Sequence, residues 1–196
     1  MKVPLYSLSR RFIWISVLSI VVSASAADLG QRSSHTPYDP YLPRVFAIMG
    51  RMGVEPADPG YVREKMKEAR RIRHHYDPRN PYVPQGPATT ERRQVGDCKA
   101  KALWLANELN DPCVRFVVGK YRAARVKNHA WLMWTDGSEW WVLDPTFHDR
   151  PIRFDPTSTK WVPHYSYGKH GRYVHGGARQ GPNIRAQIAW TGKVRR

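Results

Sequence analysis

His129-Ala-Trp-Leu-Met-Trp134, then Thr135-Asp136-Gly137-Ser138, then Glu139-Trp-Trp-Val-Leu-Asp144 is the stretch that decides the fold. Two apolar runs flank an Asp-Gly pair, the strongest short-range signal for a β-hairpin. With Asp136-Gly137 as a two-residue loop, Thr135 faces Ser138 and His129 lies directly opposite Asp144. Directly facing residues point to one side of a sheet with Cβ atoms about 4.5–5.5 Å apart. A longer loop or a bulge would shift that pairing. Both strands carry apolar residues on each face, which predicts central strands.

Working upstream, Val114–Val118 reads as a further strand, joined to the hairpin by a basic connection with Lys120, Arg122, Arg125 and Lys127. Before it, Asp97-Cys98-Lys-Ala-Lys-Ala-Leu-Trp-Leu-Ala-Asn-Glu-Leu109 reads as a helix. Ala102, Leu105, Ala106 and Leu109 form its buried face, and Asp111-Pro112 stops it. An earlier helix is capped by Asp58 with Pro59 in its first turn, and Val62, Met66, Ala69, Ile72 and Tyr76 make its apolar stripe. Asp77-Pro78 ends it, and the Pro-rich stretch 79–94 reads as loop. Downstream, Ile152–Phe154 and Trp161–Tyr167 read as edge strands, and 168–181 as a basic Gly- and His-rich loop.

The chain has 196 residues, 32 Lys and Arg against 16 Asp and Glu, and two cysteines. Such a length suits one domain with an appended segment. Two cysteines exclude a dense disulfide framework. Lys2, Arg10 and Arg11, the apolar run Phe12–Val22 and Ala24-Ser25-Ala26 have the pattern of a signal peptide over residues 1–26, leaving no transmembrane segment in the mature protein. The expected organisation is a Pro-rich extended arm over 27–57, with a short helical piece near Val45–Met52, a catalytic domain over 58–160 and a basic extension over 161–196. Export, to the periplasm or beyond, turns the net charge of +16 away from nucleic acid. It points instead to acidic proteins, cell-wall polymers or membrane surfaces.

A cysteine at a helix start has a favoured thiolate, and a nucleophilic thiolate needs a base held in one tautomer by a third group. Cys98, His129 and Asp144 are such a set. Gly96-Asp97-Cys98-Lys99-Ala100-Lys101-Ala102-Leu103, Asn128-His129-Ala130-Trp131-Leu132 and Trp141-Val142-Leu143-Asp144 together resemble the bacterial transglutaminase-like cysteine proteinases, over roughly residues 94–147. The resemblance implies an α+β, papain-like fold with the nucleophile helix packed on an antiparallel β-sheet. It also implies Cys98 as nucleophile, His129 as general base and acid, and Asp144 as orienting carboxylate. The expected activity is that of an exported thiol hydrolase or acyltransferase on amide bonds, foremost a cysteine peptidase acting on a protein or peptide substrate. Protein-glutamine transamidation and a catalytically silent binding module on the same fold are the alternatives.

Gln94, four residues before Cys98, is the candidate oxyanion donor beside the Cys98 backbone N–H. Calcium-dependent members of the group carry an acidic residue after the cysteine as well as Asp before it. Here Asp97 is followed by Lys99 across Cys98, and a hard cation wants several oxygen ligands. No cofactor is therefore expected, with calcium disfavoured by Lys99. Cys113 reads as a buried apolar residue. His164, His170 and His175 lack zinc-ligand spacing. The Trp131, Trp134, Trp140, Trp141 and Trp161 side chains read as core before substrate groove.

Overall fold

In a computed structural model, residues 30–76, 78, 83–124 and 126–180 are described. The expected signal peptide and the end of the basic extension, 181–196, lie outside the described residues. The elements, in chain order, are β1 (Gln31–Ser33), α1 (Pro43–Met49), α2 (Pro59–Arg71), β2 (Arg73–His74), α3 (Pro87–Arg93), β3 (Val95–Gly96), α4 (Cys98–Leu109), β4 (Val114–Tyr121), β5 (Val126–Thr135), β6 (Trp140–Leu143), β7 (Ile152–Arg153), β8 (Trp161–Gly168) and β9 (Gly171–Val174).

Seven strands form one antiparallel sheet in the order β1-β9-β8-β4-β5-β6-β7. The α+β expectation holds, and the hairpin strands β5 and β6 lie inside the sheet. α4 packs on one face. It is apolar on nearly every side and buried on nearly every side, as a helix enclosed by others must be. Ala102, Leu103, Leu105 and Ala106 meet Phe116, Leu132, Trp134 and Leu143 of the sheet, and α1 and α2 close the same core. The opposite face carries a second apolar cluster of Val117, Tyr121, Trp131, Met133, Val142 and Trp161, covered by Phe147, Ile152 and Phe154.

Lys101 is fully buried in this core. Its ammonium donates to Ile72 O at 2.9 Å and reaches Arg70 O at 3.4 Å, capping the carbonyls at the end of α2. Burial, aided by the Arg70 charge, pushes its pKa down to about 8.

Three stretches differ from the sequence reading. Residues 30–57 do not run as an extended arm. β1 adds an edge strand beside β9, and Leu42, Val45, Ile48 and Met49 are buried around α1. Pro43 opens that helix at a position where proline costs no hydrogen bond. β8 is not an edge strand, because β9 and β4 flank it. Its buried polar residues hide this in the sequence, and Ser166 is satisfied there by His175 Nε2 at 2.8 Å. The loop before Cys98 holds α3, again started by proline, and a short parallel pair in which His74 lies beside Gly96.

Candidate active site

The hairpin itself corrects the predicted register. Thr135 pairs with Trp140 and Leu132 with Leu143, so the loop has four residues, Asp136 to Glu139. Asp136 explains the longer loop. Its carboxylate accepts hydrogen bonds from the Ser138 and Glu139 N–H groups at 2.9 Å and from Trp141 Nε1 at 3.0 Å, an Asx-turn that outcompetes the two-residue turn. The shift is two places, so facing parity is kept. Continued past Leu143, this register sets Asp144 opposite Trp131, a diagonal neighbour of His129 on the same face.

The diagonal is short enough to bridge. His129 Nε2 lies 2.9 Å from Asp144 Oδ2, with both side chains buried. Cys98 is close enough to the His129 ring to help raise its pKa. Cys98 is the first residue of α4 and is half-buried. Asp97 caps the helix through Ala100 N at 3.0 Å, so the positive end of the helix points at the thiol. Gly96 permits the tight approach into the helix, since a Cβ there would meet the Ala100 Cβ at 2.7 Å.

Asp144 is held from three sides. Its Oδ2 also accepts from Trp161 Nε1 at 3.1 Å, and its Oδ1 accepts from Thr146 N at 3.2 Å. Tyr121, Trp131 and Phe147 surround the His129 ring at 5.2–5.8 Å between centroids and shield it from water. Burial opposes charge on His129. Hydrogen bonds to Asp144 and Cys98, with their negative charge, outweigh it and raise its pKa to about 9. Such a site favours an imidazolium at His129.

The sequence expectation for Gln94 needs correction. Its side-chain amide donates to Glu91 O at 2.9 Å and closes the end of α3, and the residue is exposed with φ 49°. It caps a helix and makes no hydrogen bond to Cys98. Two residues were not singled out from the sequence for what they do here. Trp161 reads only as core or groove, because its bond to Asp144 spans 17 positions. His74 comes to lie beside Gly96 only through the β2–β3 pairing. Burial, then the Lys101 charge, pushes the His74 pKa down.

The remaining residues fall into place around this set. Cys113 is a free thiol, pushed up by burial and by Asp111. Trp131 packs in the cluster opposite α4, and Trp134 packs on the α4 side with Nε1 donating to Asp111 at 2.7 Å. Lys99 pairs with the Asp97 carboxylate, and both are buried. Among the described residues, no three or more His, Cys, Asp or Glu side chains stand together as a metal site, and no helix is long and apolar enough to cross a membrane.

No protein-family model matches the chain, and comparison with curated proteins finds no match. Solved structures do. Legionella pneumophila LapG, EGTA-treated, matches at TM-score 0.51 and 13% identity over 78% of this chain and 85% of that one. Calcium-bound LapG of the same organism matches at TM-score 0.49 and 16% identity over 58% and 67%. These calcium-bound and chelator-treated neighbours overturn the expectation that no cofactor is involved, because calcium binding occurs among proteins of this fold. Asp97 is the carboxylate adjoining Cys98, and here the Lys99 ammonium already sits on it. The chain has an α+β, transglutaminase-like fold similar to that of LapG.

Proposed function

We propose that the chain is a thiol peptidase in which Cys98 is the nucleophile, His129 the general base and acid, and Asp144 the orienting carboxylate. The observation that supports this best is the buried His129–Asp144 pair at 2.9 Å, with its imidazole close to the Cys98 thiol at a helix start.

The steps follow from the placement. The Cys98 thiolate attacks the carbonyl carbon of a peptide bond, and the carbonyl electron pair moves onto oxygen. The Cys98 backbone N–H, at the open end of α4, is placed to hold that oxyanion. As the C–N bond breaks, the imidazolium of His129 gives its proton to the leaving amine. The thioester left on Cys98 is then attacked by water, whose proton passes to neutral His129; the C–S bond breaks, releasing the carboxylic acid and returning the Cys98 thiolate beside the His129 imidazolium. Asp144 accepts from Nε2 throughout, so Nδ1 is the nitrogen that exchanges protons with the thiol and the leaving group. Lys2, Phe12–Val22 and Ala24-Ser25-Ala26 support a reaction carried out after export, with Ala27 as the first mature residue. N-terminal sequencing of exported protein tests that placement.

The chemistry is tested by alkylation and mass spectrometry of the full chain. Iodoacetamide near pH 7 should modify Cys98 at least about tenfold faster than Cys113, whose thiol is held neutral by burial. His129→Ala should remove the difference, and a thioester adduct should accumulate on Cys98 with a slow peptide ester. Equal labelling of both cysteines would overturn the peptidase reading.

A further inference from the structure

α2 and α3 end beside each other in a group of exposed arginines. Arg70 and Arg71 close α2, Arg73 opens β2, and Arg92 and Arg93 close α3. The β2–β3 pairing joins the two helix ends, with Arg73 N donating to Gln94 O at 3.0 Å. All of these arginines are exposed, and among the described residues none of their guanidiniums is paired with a carboxylate. Of the acids on the two helices, Glu68 is engaged by Lys65 at 2.8 Å and Glu91 by Trp104 Nε1. Glu64 lies more than a turn back along α2. Tyr76, just past β2, is 56% exposed.

We propose that this face docks on the surface of an anionic lipid bilayer. The proposal goes beyond the peptidase reading and does not rest on it. One basic residue answers the dipole at a helix end; a pair at each end, with Arg73 between them, exceeds that need. Like charges held together repel, and a plane of countercharge relieves them. Clusters of about four to eight Lys or Arg are of the size that anionic headgroups hold.

The chemistry of the face selects lipid over protein. A guanidinium offers a planar fork that fits a phosphate. The amphipathic ring of Tyr76 suits headgroup depth. A protein interface, by contrast, is depleted of charge at its apolar centre. Among the described residues the large apolar side chains left exposed are Val54, Tyr61 and Tyr76, and of these only Tyr76 adjoins the arginines in sequence. Cys98 follows Arg93 closely, across β3, so docking would also bring the thiol near the bilayer surface.

The test is co-sedimentation of the full chain with two vesicles, phosphatidylcholine alone and phosphatidylcholine mixed with phosphatidylglycerol, in about 0.15 M salt. The readout is the ratio of the two partition constants, which cancels any apolar contribution that both vesicles share. A ratio of at least about 100 is expected, at about fivefold per guanidinium. Arg70→Gln with Arg92→Gln should lower it about 25-fold on the same count, and Arg71→Gln with Arg93→Gln should do the same. Arg150→Gln with Lys169→Gln, an equal loss of charge on the β6–β7 connection and the β8–β9 turn, should leave it unchanged. Inorganic phosphate should compete no better than chloride at equal ionic strength. A ratio near one, an equal fall in the Arg150 and Lys169 pair, or specific displacement by phosphate would overturn the proposal. So would tighter binding of polyglutamate than of the anionic vesicles, lost in the same arginine pairs, which would assign the face to an acidic protein.

Discussion

Trp161 Nε1 donates to the same Asp144 oxygen that meets His129, at 3.1 Å against 2.9 Å. β8 therefore holds the same carboxylate oxygen that the imidazole engages. Trp161 is also packed on Tyr121 at 5.2 Å, so one side chain both orients Asp144 and excludes water from it.

Trp161→Phe keeps most of that packing and removes the donor. A hydrogen bond to a charged group contributes about 1.5–3 kcal/mol, and a loss of this size is expected in urea unfolding. Activity should fall less than with Asp144→Ala, because Thr146 N still holds the other oxygen. Unchanged stability and unchanged kcat/KM would show that Trp161 only fills space.

The raised pKa of His129, from 6.5 to about 9, makes stability depend on pH with a definite sign. The folded protein holds this proton more tightly than the unfolded chain does. The extra stability is complete below about pH 6.5 and is lost as pH rises towards 9, to a total of about 3 kcal/mol. Lys101 acts in the opposite sense. Its pKa falls from 10.5 to about 8, so its contribution to stability rises with pH, and only above about pH 8. Urea midpoints between pH 6.5 and 8 should therefore fall, and His129→Gln should flatten that slope. A slope unaffected by the substitution would mean that another group carries it.

Much of this was legible in the sequence because it is local. Asp97 before Cys98 announces a capped helix, and two continuous apolar runs announce β5 and β6. The Asp136-Gly137 pair marks the turn, but the hydrogen bonds Asp136 makes to Ser138, Glu139 and Trp141 lengthen it, and these are not visible in a two-residue turn rule. His129 and Asp144 stayed on one face because the error was two places, and strand parity forgives an even shift. What was not legible is long-range. β1 pairs with β9 and β8 pairs with β4 across 40 positions or more, β2 pairs with β3 across 22, and Trp161 and His74 acquire their neighbours only through such pairings. Gln94 misled because spacing before the cysteine says nothing about φ, and a left-handed residue at the end of α3 turns its amide back onto that helix.

The buried ammonium of Lys101 gives a prediction about position. Lys101→Met removes the hydrogen bond to Ile72 O and leaves that buried carbonyl unpaired, at a cost of about 1–3 kcal/mol. Because the same contact fixes the end of α2 from which β2 departs, hydrogen exchange at Arg73 and His75, whose N–H groups bond Gln94 O and Gly96 O, should speed up more than exchange in β4. Equal acceleration in both would mean a global effect only.

Asp144→Asn separates the charge of the carboxylate from its geometry. In one orientation the amide oxygen takes the place of Oδ2 and still accepts from His129 and Trp161, while its NH2 confronts the Thr146 N–H. In the other the NH2 confronts both ring donors. The first loses one hydrogen bond and the second loses two, so the first prevails and Nε2 keeps its proton. His129 then retains the tautomer that aims Nδ1 at Cys98 and loses the negative charge that favours its protonation. The alkaline limb of the pH–activity profile should move to lower pH by one unit or more, reflecting about 1.4 kcal/mol per unit. Activity at pH 6 should exceed that of Asp144→Ala, which frees the ring to turn. In a serine triad the same exchange costs about 10⁴-fold because the tautomer is reversed; here a loss of that size at pH 6 would mean that Asn adopts the second orientation, and that the Trp161 and Thr146 bonds do not decide how Asp144 holds His129.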